Sequence, residues 1–123
     1  MRIWLTIAAL MGAIGVVIGA IGAHAIKGLA PTAQHAFDTA TAFHMYHALA
    51  MGLAALAIRR NNRGWARLSA ALFLVGIALF CGSLYAWALT QQHFLMFLTP
   101  LGGMSFIGGW LALAFAGWRS QET

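Results

Sequence analysis

Four long apolar segments alternate with short polar connections along the chain. They cover residues 3–23, 36–58, 68–89 and 101–118. A helix needs about 20 apolar residues to cross the hydrocarbon core of a bilayer, so each segment is long enough to span it. Because lipid offers no partner to a free backbone amide, each span must be helical. The pattern predicts an all-α integral membrane four-helix bundle that forms a single domain over residues 1–123.

Composition supports a membrane chain. Hydrophobic residues make up 62% of the sequence and charged residues 7%, whereas a soluble domain carries roughly a quarter charged residues. A net charge of +5 would suggest nucleic-acid binding in a soluble protein. Here the basic residues lie between apolar runs, where such residues set orientation and contact anionic lipid headgroups. We therefore expect membrane lipids as partners and no nucleic acid.

The positive charges fall almost entirely on one side of the predicted bundle. Arg2 precedes the first segment and Arg119 follows the fourth, while Lys27 alone lies in a connection on the other side. Four more separate the second segment from the third: Arg59, Arg60, Arg63 and Arg67. Since cytoplasmic loops carry the excess of positive charge, this asymmetry predicts that both termini are cytoplasmic.

Small residues recur at helical spacing in the first and fourth segments. The two stripes are Gly12, Gly15, Gly19 and Gly22 in the first, and Gly102, Ser105, Gly109, Ala112 and Ala116 in the fourth. Spacings of three and four place such residues on one helix face, where they let two backbones approach closely in lipid. We favour packing of the first helix against the fourth within one protomer; contact between copies in a homo-oligomer is the alternative.

Two other interpretations of the first segment are less favoured. Arg2 and the sequence Ala23-His24-Ala25 resemble a secretory signal with its cleavage site, but the apolar run exceeds the roughly 7–15 residues of a signal core. A dinucleotide fingerprint needs its glycines in a turn between a strand and a helix, with an acidic residue downstream. The regular helical spacing of these glycines favours a packed transmembrane helix.

Four stretches carry a family resemblance: GAIGAHAIKG, FDTATAFHMYHALA, LFCGSLYAWALT and FLTPLGGMSFIGGWLALA. In this order they resemble the YgdD-like family of small bacterial four-helix inner-membrane proteins, which is related to a eukaryotic small transmembrane family. The resemblance implies a fold and an inner-membrane location, and it carries no catalytic residues. Its recurring elements match at His24, Phe37, Thr39, His47, Pro100, Gly102 and Gly103. His44 departs from the pattern, in which glutamine is expected.

Histidines and one acid are the candidate cofactor-binding residues: His24, Asp38, His44 and His47. His44 and His47 lie one helical turn apart, and neutral imidazoles ligate zinc, copper or haem iron. The favoured interpretation is that His47 and its neighbour Tyr46 donate hydrogen bonds between helices, with Thr41 or Ser83 as acceptor. In a further alternative, Asp38 converges with His24, His35 and His93 at the outer face. No cofactor is predicted, and metal, haem or quinone binding remains an alternative.

The rest of the sequence holds little chemistry. Cys81 lies in an apolar run and is expected to be a buried hydrophobe. Residues 91–99 are expected to lie flat at the outer interface, with Thr99 and Pro100 as N-cap and first residue of the fourth helix. We find no serine-nucleophile elbow, phosphate loop or carboxylate pair, so we do not expect an enzyme. The favoured function is interaction, as a homo-oligomer or accessory subunit; the alternative is a histidine-based metal, haem or lipid/quinone-binding module.

Overall fold

The computed structural model describes residues 1–120, and over this range every regular element is helical. The first helix is Arg2–His24 and the second is Pro31–Leu56. The third helix is Arg63–Thr90, and the fourth is Leu98–Ser120. This confirms the all-α prediction. Glu122, one of the two acids of the chain, lies outside the described residues.

Three stretches are long and apolar enough to cross a membrane: the first helix, the third helix, and the fourth helix together with the turn before it. The second helix is not among them, because His35, Asp38, His44 and His47 lower its mean hydropathy. It is nevertheless rich in buried residues, and all three other helices form hydrogen bonds with it. Protein therefore covers its two buried histidines, as expected for polar groups in a membrane bundle.

The helices pack in chain order, first on second, second on third and third on fourth. The predicted contact between the two small-residue stripes is wrong. A Cβ added to Gly15 would lie 2.6 Å from the Met45 sulfur of the second helix, and one added to Gly109 would lie 2.7 Å from the Phe73 ring of the third. Glycines of each stripe thus pack against large side chains of the adjacent helix in the same hairpin, and not against the other stripe.

The third helix contains one turn of π-helix at Ile77–Cys81. At this turn the backbone of Phe80 lies against Gly102, so closely that a Cβ on Gly102 would overlap the Phe80 nitrogen. Turns of this kind disturb the regular hydrogen-bond ladder and often mark functional positions. At Gly102 the backbones of the third and fourth helices are thus in close contact. Cys81 ends the turn and is fully buried, as predicted.

The helices begin earlier than the apolar pattern predicts. The second starts at Pro31, since proline at the first helical position loses no internal hydrogen bond. The fourth starts at Leu98, which places Thr99 and Pro100 inside its first turn, so the prediction of an N-cap at Thr99 is wrong. The preceding segment forms a short 3₁₀ helix, His93–Phe97, none of whose residues is buried. Gln91 ends the third helix in the left-handed conformation, with φ at 60°.

Candidate functional site

His47 lies in the middle of the bundle, inside a set of aromatic rings. Its imidazole stacks on Phe106 with a centroid distance of 3.6 Å and an interplanar angle of 10°. The rings of Phe73 and Trp110 approach it at 5.6 Å and 5.9 Å with steeper angles, and Phe43 lies 5.8 Å away. Side chains of the second, third and fourth helices therefore meet at this one imidazole.

Hydrogen bonds occupy both ring nitrogens of His47. Nδ1 lies 2.7 Å from the Phe43 carbonyl oxygen, so it carries the hydrogen and donates. Nε2 is left as the acceptor, and the Trp110 indole N–H donates to it at 3.2 Å. The partners thus assign one neutral tautomer. His47 thus forms the predicted hydrogen bond between helices, but it accepts this bond from Trp110 and does not donate one to Thr41 or Ser83 as predicted.

His44 joins three helices in the same manner. Its Nε2 donates to the Met11 carbonyl oxygen of the first helix at 2.8 Å. The Tyr85 hydroxyl of the third helix donates to its Nδ1 at 2.9 Å. Gly15 makes room for the ring, because a Cβ there would lie 3.1 Å from His44 Cδ2. His44 is therefore the polar junction between the two hairpins.

This geometry bears on the metal and haem hypotheses. A metal ligand needs a free nitrogen lone pair, and in both His44 and His47 the lone pair accepts a hydrogen bond. Residues 1–120 hold no group of three or more His, Cys, Asp or Glu side chains arranged for a metal ion. The two intramembrane histidines, as placed, serve helix packing.

The other predicted candidates lie apart from this centre. His24 and His35 are exposed at the end of the bundle opposite the arginine-rich loop, and so is His93 in the 3₁₀ helix. Asp38 is also exposed, and it accepts a hydrogen bond from Gln34 Nε2 at 2.9 Å, one turn earlier. The structure thus does not assemble Asp38 and these histidines into a shared ligand set.

An apolar groove of about 650 Å³ lies beside His47, between the second and fourth helices. It follows the fourth helix from Pro100 to Trp110, and Phe43 and Tyr46 form its other wall. Tyr46 is 60% exposed. Its ring lies 6.0 Å from that of Phe43 at a tilted angle, but its hydroxyl has no hydrogen-bond partner among the described residues, contrary to the predicted interhelical bond.

Sequence reasoning missed the polar residues that fasten the third helix to the fourth. Ser69 donates to the Gly109 carbonyl at 2.7 Å, and Ser105 donates in the opposite direction to Leu72, also at 2.7 Å. Ser83 shares a hydrogen bond with Thr99 at 2.5 Å. In the sequence Ser105 belongs to the small-residue stripe and Ser69 stands alone in an apolar run, so only their position opposite a backbone carbonyl reveals this role.

Asn62 is the second omission. It is 1% exposed, and its amide nitrogen lies 2.9 Å from the Ala57 carbonyl and 3.0 Å from that of Ala116. Its oxygen accepts the Arg59 backbone N–H at 2.6 Å. Asn62 therefore holds the loop between the second and third helices against the end of the fourth. Within RRNNRG, the arginines indicate topology, and no pattern in the sequence distinguishes Asn62 from its neighbours.

Comparisons with known proteins agree on one family. Residues 18–103 match the family described as a protein of unknown function, DUF423. The chain is 39% identical to a UPF0382 membrane protein of Haemophilus influenzae, over 97% of this chain and 96% of the relative. It is 36% identical to the UPF0382 membrane protein YwdK of Bacillus subtilis, over 94% and 96%.

A third relative has a more specific name. The chain is 37% identical to the UPF0382 inner membrane protein YgdD of Escherichia coli K12, over 89% of this chain and 84% of the relative. No solved structure matches the chain. The matched residues include His44 and His47, and Gly102 of the third–fourth helix contact. The chain belongs to the DUF423 family of UPF0382 membrane proteins.

Proposed function

We propose that this protein acts through contacts within the membrane and not by catalysis, and that its copies associate with one another. The observation that carries the proposal is the unused half of the glycine stripe in the first helix. Gly15 and Gly22 face Met45 and Phe37 of the second helix, so these two glycines pack inside the protomer. Gly12 and Gly19 have no neighbouring atom within 4 Å of an added Cβ.

An open glycine in a helix is a disadvantage unless something packs on it. Glycine is about 1 kcal/mol less favourable than alanine in a helix interior. Lipid chains fill the space beside either residue, whereas another helix gains close backbone contact only over the glycine. Gly12 and Gly19 are therefore expected to meet a helix from another chain.

The groove beside Gly12 has a suitable shape for that helix. It lies between the first and second helices, has a volume of about 380 Å³, and contains Gly52 on its opposite wall. Gly52 also has no atom within 4 Å of an added Cβ. Ala9 and Leu53 complete an apolar surface with small residues in its middle. A second copy carries the same surface, as an isologous dimer requires. The alternative occupant is a helix of a larger membrane complex, of which this protein would be an accessory subunit.

The absence of catalysis is supported by how the polar side chains are used. His44, His47, Ser69 and Asn62 all form hydrogen bonds that hold helices or the connecting loop. An acid–base or nucleophilic mechanism needs such groups free and near a substrate. Their engagement in packing favours a structural role.

We further propose that the protein crosses the bacterial inner membrane several times, with both termini in the cytoplasm. Arg2 and Arg67 line one cavity, and Asn61 binds the carbonyl of Arg119, so the arginines gather at one end of the bundle. The relative YgdD is named an inner membrane protein. A fluorescent protein fused at the C-terminus is expected to fluoresce, and alkaline phosphatase there to be inactive. Active phosphatase would contradict the orientation.

The test of association uses energy transfer between donor- and acceptor-labelled copies in lipid vesicles, diluted with increasing lipid. The double variant Gly12→Leu/Gly52→Leu places two large side chains in the groove, and the Cβ at each position has no neighbouring atom within 4 Å. Gly117→Leu is the matched control, because Gly117 also has open space but lies outside this groove. We expect the double variant to lower energy transfer and the control to retain it. Equal transfer in all three proteins would refute the proposal.

A second candidate function, binding of one apolar chain of a lipid or isoprenoid, is favoured by the groove beside His47. The eleven residues of helix from Pro100 to Trp110 extend about 15 Å, half the hydrocarbon core. The free Tyr46 hydroxyl can donate to a carbonyl on such a molecule. Ile107→Trp fills this groove, whereas Leu111→Trp, equally exposed one turn on, lies outside it. Loss of a copurifying lipid from only the first variant supports this function, and its retention in both contradicts it.

A further inference from the structure

We propose that Arg2 and Arg67 form a binding site for the phosphate of an anionic phospholipid. The two residues belong to the beginnings of the first and third helices and line one cavity of about 590 Å³. The other lining residues are Met1, Ile3 and Trp4. This site is separate from the glycine groove and from His47, and it does not depend on self-association.

The two guanidinium groups have no protein partner among the described residues. Arg59 provides a contrast, because its Nη1 donates to the Leu56 carbonyl at 3.0 Å and so closes the end of the second helix. Guanidinium groups bind phosphate oxygens through paired, charge-assisted hydrogen bonds. Arg2 and Arg67 thus retain their full donor capacity for a ligand.

No carboxylate of residues 1–120 neutralises this pair. Asp38 is the only acid in that range, and it lies in the second helix beside Gln34, toward the opposite end. Two like charges that share a cavity repel each other, and the remaining arginines of the loop add to the local potential. An anion is therefore favoured between them, and basic pockets of this kind between transmembrane helices bind lipid headgroups.

The rest of the lining indicates a lipid and not a free anion. Trp4 packs partly buried against the core, as aromatic residues do at the membrane interface. Ile3 is 71% exposed and Met1 53% exposed, and both line the same cavity. A phosphodiester headgroup can thus bind the arginines while its glycerol and upper acyl chain contact apolar side chains.

Lipid titrations followed by native mass spectrometry test the site on the full chain. Phosphatidylglycerol is compared with phosphatidylcholine for three proteins: the wild type, Arg2→Gln/Arg67→Gln, and the control Arg60→Gln/Arg63→Gln. The control removes the same charge from the same end, and neither of its positions lines the cavity. At about 0.2 M salt, charges beyond one Debye length are largely screened. We expect the first double variant to bind phosphatidylglycerol about 10-fold more weakly, with the control less than about 3-fold weaker.

The remaining outcomes decide the proposal in either direction. Equal losses in both double variants would mean a diffuse basic surface and would overturn the site. Competition by glycerol phosphate at the same concentration as phosphatidylglycerol would overturn its assignment to a lipid. If the double variant does not fold, Arg67→Lys keeps the charge but loses paired hydrogen bonding. That variant is then expected to bind phosphatidylglycerol more weakly than the wild type, and unchanged affinity would refute the proposal.

Discussion

The Trp110 indole N–H donates to Nε2 of His47 at 3.2 Å and joins the fourth helix to the second at a partly buried position. The second helix otherwise packs mainly on the first and third. This bond and the stacking of His47 on Phe106 therefore connect the outermost helix of the second hairpin to the centre. His47, the side chain most suggestive of a cofactor ligand, thus holds two helices together.

Trp110 and Trp87 offer a paired test of this bond. Trp110→Phe removes the donor to His47 and is expected to lower the free energy of unfolding by about 0.6–1.7 kcal/mol, the range for hydrogen bonds between membrane helices. Trp87→Phe removes an indole N–H that is buried without a partner among the described residues, so it loses no hydrogen bond. Steric trapping in bicelles measures both. Greater destabilisation by Trp87→Phe would contradict the assignment.

His44 is expected to be replaceable by glutamine. The amide of glutamine can donate to the Met11 carbonyl and accept from Tyr85, as the imidazole does, and glutamine is the residue that the family resemblance implies here. We expect His44→Gln to retain most of the stability, whereas His44→Leu loses about 1–3 kcal/mol by leaving the Tyr85 hydroxyl unpaired. Tyr85→Phe in the leucine background should restore part of the loss. No restoration would show that the pair is not coupled.

Gly102 and Gly103 differ in what an added methyl group would meet. A Cβ on Gly102 would overlap the Phe80 backbone, which cannot rotate away, whereas one on Gly103 would lie 3.8 Å from the Phe80 ring. Gly102→Ala is expected to lower stability by about 1–3 kcal/mol through overpacking. Gly103→Ala should be neutral or slightly stabilising, since alanine favours the helix. Thermal unfolding in detergent distinguishes them, and similar midpoints would contradict the described backbone contact.

Asn62 and Asn61 differ in burial although they are adjacent. Asn62→Ala leaves the Arg59 N–H without its side-chain acceptor and removes the buried Asn62 donor to the Ala116 carbonyl, which keeps Ser120 Oγ as a donor. Each lost hydrogen bond costs about 0.5–1.5 kcal/mol. Asn61 is only partly buried, and its side chain binds a single carbonyl, that of Arg119. We expect Asn62→Ala to raise proteolysis of the connecting loop much more than Asn61→Ala does. Equal cleavage of both variants would count against this role.

The sequence predicts the helices well and their partners poorly. Apolar length identifies the first, third and fourth helices because the lipid-facing surface dictates their composition. Glycine spacing identifies a packing face only in part, because Gly15 and Gly22 receive side chains of the second helix, whereas Gly12 and Gly19 have no atom within 4 Å of an added Cβ. Gly22 and Gly109 receive phenylalanine rings from adjacent helices, and a ring against a glycine leaves no periodic signal in the sequence.

The candidate site could be predicted from the sequence only in part, for a similar reason. His47 and Trp110 are separated by 63 positions, and nothing in the sequence pairs one residue with the other. Ser69 and Asn62 bind backbone carbonyls, which every residue possesses. Side chains whose partners are backbone atoms can be recognised only once the helices are in place.

Native mass spectrometry of the protein gently extracted from its own membrane tests the central claim most directly, together with an absorption spectrum and elemental analysis of the same sample. The account predicts a colourless, metal-free multimer that becomes monomeric in the Gly12→Leu/Gly52→Leu variant. A monomer that carries stoichiometric metal or haem, lost on His47→Ala, would contradict it.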